Sequence, residues 1–216
     1  VFCLIGKFVI ADGLDIFQDV LTYVVLLISL LLFHAFFTYS LFLKFVGGLS
    51  PLIFFRKMKN VALFAFSTSS SAATIPVTLK TVNQDLGVNQ NVASFVVPVG
   101  ATINMDGTAI MQGLATVFIA QMSGIDLSLF QYAQVVLLAV ATSIGTAAVP
   151  SAGTITLIII LQQFNLPLEA IGIILAVDRV LDMIRTSVNV TGDAAIACIV
   201  AKSENQLDEK IFNSQN

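Results

Sequence analysis

A line of charged and amide side chains runs through an apolar segment near the end of the chain. Residues 168–201 are long enough to cross a bilayer as a tilted helix. The polar residues follow one another in steps of three or four: Asp178, Asp182, Arg185, Asn189 and Asp193. At about 100° per residue they fall within a sector of about 80°. A stripe that narrow must face protein, water or a bound solute, so the sequence predicts a functional site inside a membrane protein.

Two interpretations of this stripe remain open. Asp182 and Arg185 stand three residues apart and can form a purely structural ion pair. Alternatively, three aspartates with one arginine in line leave anions that need cations, which favours binding of ions or a charged solute. Arg179 points about 100° away from Asp178, so we expect it to lie outside the stripe, at the membrane interface.

Composition excludes most soluble classes. The chain is 57% hydrophobic and 11% charged, whereas soluble domains carry about a quarter of charged residues. The net charge of −3 without a basic run argues against a nucleic-acid partner. Cys3 and Cys198 lie far apart in apolar segments and are interpreted as buried thiols. His34 is interpreted as a core or interfacial histidine, not as a ligand.

The chain divides into a short first part, a long apolar middle and a polar end. For residues 1–19 we predict the end of a scaffold transmembrane helix, because Val1 already lies in an apolar run. An aqueous turn follows it, because Asp19 belongs to a group of aspartates. This start also suggests the C-terminal part of a longer protein. Residues 20–46 predict a transmembrane helix with a packing role only. The basic residues 56–59 indicate the cytoplasmic side. Residues 202–216 predict a solvated, disordered, cytoplasmic tail.

Residues 60–86 predict a re-entrant helical hairpin. Two apolar arms, each too short to span, flank the small-residue stretch 67–76, which ends in Pro76. A non-helical tip is tolerated at membrane depth where it is buried in protein or lines a cavity. The alternative is a serine-rich surface loop.

Residues 89–122 predict a transmembrane helix that is interrupted in its middle. Asn-Met-Asp-Gly-Thr at 104–108 contains poor helix formers whose side chains can satisfy loosened backbone groups. Oxygen ligands with a carboxylate suit a hard cation. We therefore expect an unwound stretch that faces an ion-binding cavity.

The same order of features then recurs. Residues 130–165 predict a second hairpin with a small-residue tip at 142–154, and residues 168–201 a last helix with Asn-Val-Thr-Gly-Asp at its centre. Both tips contain Ala-Ala followed shortly by proline. Paired interrupted segments in corresponding positions indicate a transporter site near the bilayer midplane. The predicted fold is an all-α polytopic membrane protein, built as an inverted repeat of two re-entrant hairpins, each followed by an interrupted transmembrane helix.

Four ordered motifs resemble the glutamate/aspartate transporter family, the dicarboxylate/amino acid:cation symporters. They are the serine-rich tip at 67–76, the Asn-Met-Asp-Gly-Thr motif, the second tip, and residues 182–193. The resemblance covers nearly the whole chain. It implies that residues 20–201 form the mobile transport domain and that the hairpins are its gates. It also implies a homotrimer in the full-length protein, with scaffold helices upstream.

The resemblance implies roles for individual residues. Asp182 corresponds to the ligand of the substrate ammonium, and Arg185 to the partner of the side-chain carboxylate. The other implied substrate contacts are Ser69, Ser70, Ser71, Thr108, Val149, Gly153, Thr186 and Asn189. The implied sodium ligands form three groups: Gly100, Asn104, Asn189 and Asp193; Thr102, Met105, Ser143, Ile144 and Thr146; and Asn104 with Asp106.

The sequence also departs from the family pattern. Ser69 and Met183 stand where some relatives have arginine, and Ala148 and Ser151 where relatives often have glycine, which suggests a stiffer second gate. The resemblance implies sodium-coupled symport of L-glutamate or L-aspartate by alternating access, in the plasma membrane, with a bacterial inner membrane favoured. A proton-coupled dicarboxylate symporter is the alternative. A channel fits less well, because a continuous pore would more naturally come from symmetric subunits than from two gates of opposite entry. A hydrolase that uses the serines also fits less well, because His34 is the sole histidine and lies far from them in sequence.

Overall fold

The computed structural model describes residues 16–214, and the predicted all-α class is confirmed for them. Beyond helices it contains an isolated bridge between Val88 and Leu207. The helices are α1 Ile16–Phe33, a π-helical segment His34–Thr38, α2 Tyr39–Phe45, α3 Pro51–Thr68, α4 Ser71–Gln84, α5 Gln90–Ile103, α6 Asp106–Met122, α7 Leu129–Ile144, α8 Ala152–Gln163, a 3-10 turn Leu168–Ala170, α9 Ile171–Ser203 and α10 Glu209–Asn213. Cys3 and most of the predicted scaffold segment lie outside the described residues.

The first three elements form one continuous helix, Ile16–Phe45. Among residues 16–214 it is the one helix that is long and apolar enough to cross a membrane by length and composition alone, with a mean hydropathy of 2.5. Its buried side recurs at every fourth residue, through Tyr23, Leu27, Leu31, Ala35, Tyr39 and Leu43. Large apolar side chains such as Phe17 and Phe33 are exposed on the other sides. Asp19, expected in an aqueous turn, lies in the first turn of α1.

Helices α3 and α4 pack side by side and form the first hairpin. Its first arm begins at Pro51, which suits the first position of a helix because proline has no N–H to leave unpaired. The basic residues 56–59 therefore lie inside this arm, not ahead of it. The tip consists of Ser69, with a left-handed φ of 50°, and Ser70, whose hydroxyl caps α4 by accepting from the Ala73 N–H. Ser69, Ser70 and Ser71 are buried, which excludes a surface loop for this part of the stretch, although Ser67 is exposed.

Helices α5 and α6 are separated at Asn104 and Met105. Both residues have non-helical ψ angles, 71° and 55°. Pro98 lies inside α5 and removes one hydrogen bond from the helix ahead of the break. Asn104 still donates its N–H to the Gly100 carbonyl at 2.8 Å. The interruption therefore lies within the motif that the sequence singles out.

Helices α7 and α8 form the second hairpin. Ser128 and Gln131 make a reciprocal capping box at the start of α7. Residues 145–151 form the tip, and Ser151 closes it with a left-handed φ of 58°. The two tips contact each other, while the open ends of the two hairpins lie at opposite ends of α9.

The predicted interruption of the last helix is wrong. Helix α9 runs without a break from Ile171 to Ser203, through the Asn-Val-Thr-Gly-Asp motif. The polar side chains of Asn189 and Asp193 bond to groups at the α5–α6 break, so the α9 backbone has no need to unwind around them. In contrast with α5, α9 contains no proline.

Two apolar clusters pack against successive parts of α9, one up to Val188 and the other from Val190 onward. One joins α9 to α1, α6 and hairpin two, and includes Leu31, Met111, Leu157 and Leu181. The other joins α9 to hairpin one and α5, and includes Phe54, Val82, Val97 and Ala194. Cys198 is a free, buried thiol in the second cluster, as predicted.

The predicted disorder of the final segment is also wrong for the residues that the structure describes. After α9 the chain turns back, and α10 packs against α3. The Phe212 side chain is 1% exposed. The segment has only three apolar residues, Leu207, Ile211 and Phe212, which are too few for a periodic pattern, so the sequence alone does not reveal this packing.

Candidate substrate and ion site

A small cavity lies where the two hairpin tips, the α5–α6 break and α9 meet. Its volume is about 20 Å³, room for about one water molecule. All the predicted substrate residues except Ser70 line it, together with Met105, Thr146, Ala147 and Ala148. The fold therefore brings residues from four separate segments of the sequence to one buried point.

Arg185 is the centre of the charge network at this cavity. Its side chain is 2% exposed, and its guanidinium donates to Asp182 Oδ1 at 2.5 Å and to Asp178 Oδ1 at 3.4 Å. The ion pair that the sequence leaves open is therefore present, and Asp178 adds a second carboxylate. Arg179 is exposed, as predicted. Two buried carboxylates around one guanidinium leave an excess of negative charge that a bound cation would offset.

Hairpin two is attached directly to these charges. The Ser151 N–H donates to Asp182 Oδ2 at 2.9 Å, and the Thr154 hydroxyl donates to Asp178 Oδ1 at 2.8 Å. The other oxygen of Asp178 is buried and accepts no hydrogen bond from the described residues. The closed position of this tip thus depends on the same carboxylates that hold Arg185.

The two tips are joined by hydrogen bonds to one carbonyl. The Ser70 hydroxyl donates to the Ala148 carbonyl at 2.8 Å, and the Ala72 N–H donates to the same oxygen at 3.3 Å. Ser70 thus lies behind the cavity wall, as a link between tips. The hydroxyl of Ser69 is buried without a partner among the described residues.

Three helix N-termini converge on the cavity. Ser71 begins α4, Asp106 begins α6, and Ala152 begins α8, with Gly153 on the cavity wall. Helix N-termini carry partial positive charge and favour anions. A Cβ on Gly153 would lie 2.7 Å from the Thr108 side chain, so glycine is required for this close approach. The three helix ends therefore offer partial positive charge to an anionic group, beside the Arg185 guanidinium that Asp178 and Asp182 pair in this structure.

Asn189 connects α9 to the helix break. Its Oδ1 accepts the Gly107 N–H at 2.8 Å, and its Nδ2 donates to the Thr108 hydroxyl at 3.4 Å. Thr186, one turn earlier, also lines the cavity. These contacts hold the start of α6 against the polar stripe.

Asp193 lies at the other side of the break and is 2% exposed. Its Oδ1 accepts from Asn104 Nδ2 at 3.1 Å, and a Cβ on Gly100 would lie 2.6 Å from the same oxygen. Within residues 16–214 no basic side chain pairs with it. A buried carboxylate beside amide and carbonyl oxygens suits a hard cation.

Asp106 forms a second polar cluster, which the sequence predicted only in part. Its Oδ2 accepts from the Tyr39 hydroxyl and contacts His34 Nε2, both at 3.1 Å. The predicted packing-only role of the first helix is therefore wrong, because this helix supplies two polar partners to the site. The signal was a tyrosine on the buried side of an otherwise apolar helix.

The remaining predicted sodium ligands are less closely assembled. Thr102 and Ile144 are exposed, and the Thr102 hydroxyl donates to the Val99 carbonyl within its own helix. Ser143 and Thr146 are buried but also bond within hairpin two. Met105 and Thr146 share the cavity wall. No cluster of three or more His, Cys, Asp or Glu that could hold a metal occurs among the described residues.

Gln112 is a buried contact that the sequence analysis missed. Its Nε2 donates to the Gly153 carbonyl at 3.0 Å and to the Thr156 hydroxyl at 2.8 Å, and its Oε1 accepts from the Thr142 hydroxyl at 2.8 Å. One side chain thereby bridges both arms of hairpin two to α6. The signal was the buried polar repeat Thr108, Gln112 and Thr116, in steps of four.

Two hairpins of opposite direction that meet at a buried, charged cavity are similar to the inverted repeats of membrane transporters. The model of the sodium:dicarboxylate symporter family matches residues 1–203. An excitatory amino acid transporter of Caenorhabditis elegans is 43% identical over 202 residues, 93% of this chain and 40% of the relative. Excitatory amino acid transporter 3 of Mus musculus is 40% identical over 215 residues, 99% and 41% respectively.

The chain therefore belongs to the sodium:dicarboxylate symporter family, which confirms the family predicted from the motifs. Human excitatory amino acid transporter 2 is 42% identical over 209 residues, 95% of this chain and 36% of the relative. The chain thus spans about two fifths of the length of the curated relatives that it matches. Members of this family are symporters, consistent with the prediction that the chain is not an enzyme.

Proposed function

We propose that the full-length protein is a secondary active transporter that couples sodium to the uptake of L-glutamate or L-aspartate by alternating access. The observation that carries this proposal is the pairing of Arg185 with Asp182 on the wall of a cavity enclosed by both hairpins. A guanidinium binds a carboxylate in bidentate fashion, and an aspartate binds an ammonium. Side by side they suit a zwitterion with an additional carboxylate.

Substrate entry requires the hairpin tips to separate, because the cavity has room for about one water molecule. The substrate's side-chain carboxylate would then replace Asp182 and Asp178 as the partner of Arg185. The freed Asp182 would accept hydrogen bonds from the substrate ammonium. Ser69, Ser71, Thr108, Asn189 and the start of α4 would hold the main-chain carboxylate, while Thr186, Val149 and Gly153 would complete the enclosure.

Sodium ions are cargo in this scheme and couple to the substrate through shared residues. We assign one site to Gly100, Asn104, Asn189 and Asp193, and another to Asn104 and Asp106. A further site, at Thr102, Met105, Ser143, Ile144 and Thr146, would form as hairpin two moves. Because ion binding would favour the closed hairpin, it would raise substrate affinity, and the substrate would raise ion affinity equally.

The distribution of charge supports an orientation in the membrane. One end of the molecule, where α9 ends, holds Lys44, Arg56, Lys57, Lys59, Lys80, Lys202 and Lys210 together with Asp85, Glu204, Asp208 and Glu209, whereas Asp19, Asp126 and Glu169 lie at the other end. An excess of lysine and arginine marks the cytoplasmic side. Hairpin one would then enter from the cytoplasm and hairpin two from outside. Exposed side chains such as Phe95 and Leu137 suit contact with lipid or with upstream helices in a homotrimer.

The first experiment measures uptake of radiolabelled L-aspartate by the full-length parent in proteoliposomes, with an imposed sodium or proton gradient. Arg185→Ala should abolish sodium-driven uptake, because the substrate carboxylate loses its partner. Arg179→Ala, an exposed arginine on the same helix, is the matched control and should retain uptake.

Each outcome separates the proposal from its alternative. Uptake that a proton gradient drives equally well would overturn the sodium assignment but keep the substrate. Uptake of succinate without aspartate would favour the proton-coupled dicarboxylate symporter and overturn the role of Asp182. We propose a plasma membrane, with a bacterial inner membrane favoured. Cell fractionation of the host identifies the membrane in which the full-length protein resides.

The ion assignment is tested by Asp193→Ala and Asp106→Ala. Either variant should lower sodium affinity and aspartate affinity together, by about tenfold or more, because a coupling of 1–3 kcal/mol is typical of linked sites. Aspartate binding is measured by isothermal titration at several sodium concentrations. Unchanged sodium dependence of aspartate affinity in both variants would contradict the assignment.

A further inference from the structure

The segment after α9 folds back onto the outer end of hairpin one. We propose that residues 204–214 are an intramolecular clasp that ties the base of hairpin one to the end of α9, with Lys57 as its central positioning residue. The base of hairpin one is defined here as the first two turns of α3, the last turn of α4, and the α4–α5 turn 85–89. The clasp concerns the mechanics of the fold and stands independently of the transported substrate.

Backbone pairing fixes the position of the clasp. The Asp208 N–H donates to the Gly87 carbonyl at 2.8 Å, and the Asn89 N–H donates to the Gln206 carbonyl at 2.9 Å. Gly87 has a φ of +74°, and a Cβ there would lie 2.5 Å from the Asp208 carbonyl oxygen. The contact is therefore close enough to require glycine on the hairpin side.

A buried aromatic ring anchors the clasp. Phe212 is 1% exposed and belongs to the apolar cluster that contains Phe54, Met58 and Leu86 of hairpin one. A buried phenylalanine removes a large apolar area from water. A segment that merely lay on the surface would leave this ring exposed.

Lys57 joins three parts of the chain through one ammonium group. Its Nζ donates to the Asp85 carbonyl at 2.8 Å, to the Ile211 carbonyl at 2.7 Å and to the Ser214 hydroxyl at 3.2 Å. An ammonium has three donors, and here each finds an acceptor. Asp85 is the C-cap of α4, where a positive charge is favourable to the helix dipole.

The turn between α9 and α10 is closed by an ion pair between Lys202 and Glu209. Together with Lys57 and Phe212, this pair connects α9, α3 and α4 at one end of the molecule. Because three kinds of contact act on the same short segment, we infer that the base of hairpin one opens only when the clasp detaches.

The test is hydrogen exchange of the full-length protein in lipid nanodiscs, read by mass spectrometry. Three variants each remove one kind of clasp contact. Phe212→Ala removes the buried ring, Gly87→Ala disturbs the close backbone contact, and Lys57→Met removes the ammonium hydrogen bonds. In each variant, peptides that cover the base of hairpin one should exchange at least about tenfold faster, whereas α7 and α8 should stay within about twofold of the parent. Lys59→Met changes an exposed lysine two positions away and should leave both hairpins unchanged.

Two results would overturn the proposal. Faster exchange confined to residues 204–214 would show that the segment is carried passively by hairpin one. Equal acceleration in both hairpins would show general destabilisation instead of a local restraint. Lys57→Met leaves the apolar cluster intact, so it keeps the test decisive if Phe212→Ala fails to fold.

Discussion

The two hairpins share a plan but are held in place by different forces. Hairpin one packs through apolar side chains such as Phe54 and Val82 against α9 and α5, and residues 204–214 bind its base. Hairpin two also has apolar contacts, through Leu157 and Ile160, but its tip and upper arms are attached by polar bonds to Asp178, Asp182 and Gln112. Both tips carry a serine in the left-handed region, so the difference is one of anchoring.

This difference indicates which hairpin can respond to a solute. A charged substrate or an ion can compete for a polar anchor, because it offers the same carboxylates a replacement partner. It offers nothing to an apolar cluster. We therefore expect hairpin two to part from the cavity at lower free-energy cost, while hairpin one moves together with α9.

The largest expected effect comes from Phe54→Ala in the first arm of hairpin one. Phe54 is completely buried, and truncation of a buried phenylalanine costs about 3–5 kcal/mol. The loss should appear in the free energy of unfolding of the whole protein, measured in mixed detergent micelles. Leu52→Ala, at an exposed position on the same helix, should change it by less than about 0.5 kcal/mol. If Phe54→Ala lowers the free energy of unfolding only slightly, apolar packing is not what holds hairpin one in place.

A smaller and more local effect is expected from Gln112→Leu. This change removes three hydrogen bonds that bridge α6 to hairpin two and leaves buried polar groups unpaired, at about 2 kcal/mol. Hydrogen exchange in α7 and α8 should accelerate about thirtyfold, with hairpin one unchanged. Gln121→Leu, exposed on the same helix, is the control. If hairpin one accelerates as much as hairpin two, the two anchors are not independent.

The smallest effect is expected from Ser70→Ala. This hydroxyl caps α4 and also bonds to the Ala148 carbonyl, so its loss should cost about 1 kcal/mol and loosen both tips together. The accessibility of both tips to limited proteolysis should rise by a similar factor. Ser67→Ala removes an exposed hydroxyl that bonds only within α3, and should have no effect. If proteolysis increases in one tip alone, the Ser70 hydrogen bond does not hold the two tips together.

The sequence predicted the features that have a local chemical cause. The α5–α6 break at Asn104 and Met105 follows from poor helix formers, and the burial of Asp178 to Asp193 on one side of α9 follows from their spacing. The continuity of α9 does not, because it depends on partners such as Gly107 that lie distant in sequence. The same motif type unwinds in one helix and stays regular in another, according to what its side chains meet.

Contacts made by single residues were likewise beyond prediction. Phe212 and Lys57 have no periodic neighbours that predict their burial or bonding, and each acts through atoms that only the tertiary fold brings close. Tyr39 and His34 approach Asp106 because the helix between them is not a regular α-helix. Such contacts follow from the assembled fold, not from the pattern of one segment.

The π-helical segment in the first helix corrects a geometric drift. Its buried residues, from Tyr23 to Leu43, recur in five steps of four, and in a straight α-helix each step rotates by about 40°, or about 200° in all. In a straight α-helix, the last residues of this row would therefore lie on the face opposite the core. The wider turn at His34–Thr38, where the Tyr39 N–H bonds to the His34 carbonyl, takes up the surplus residue and resets the phase. A one-residue deletion there should therefore act over a distance, turning Tyr23, Leu27 and Leu31 out of register with the core.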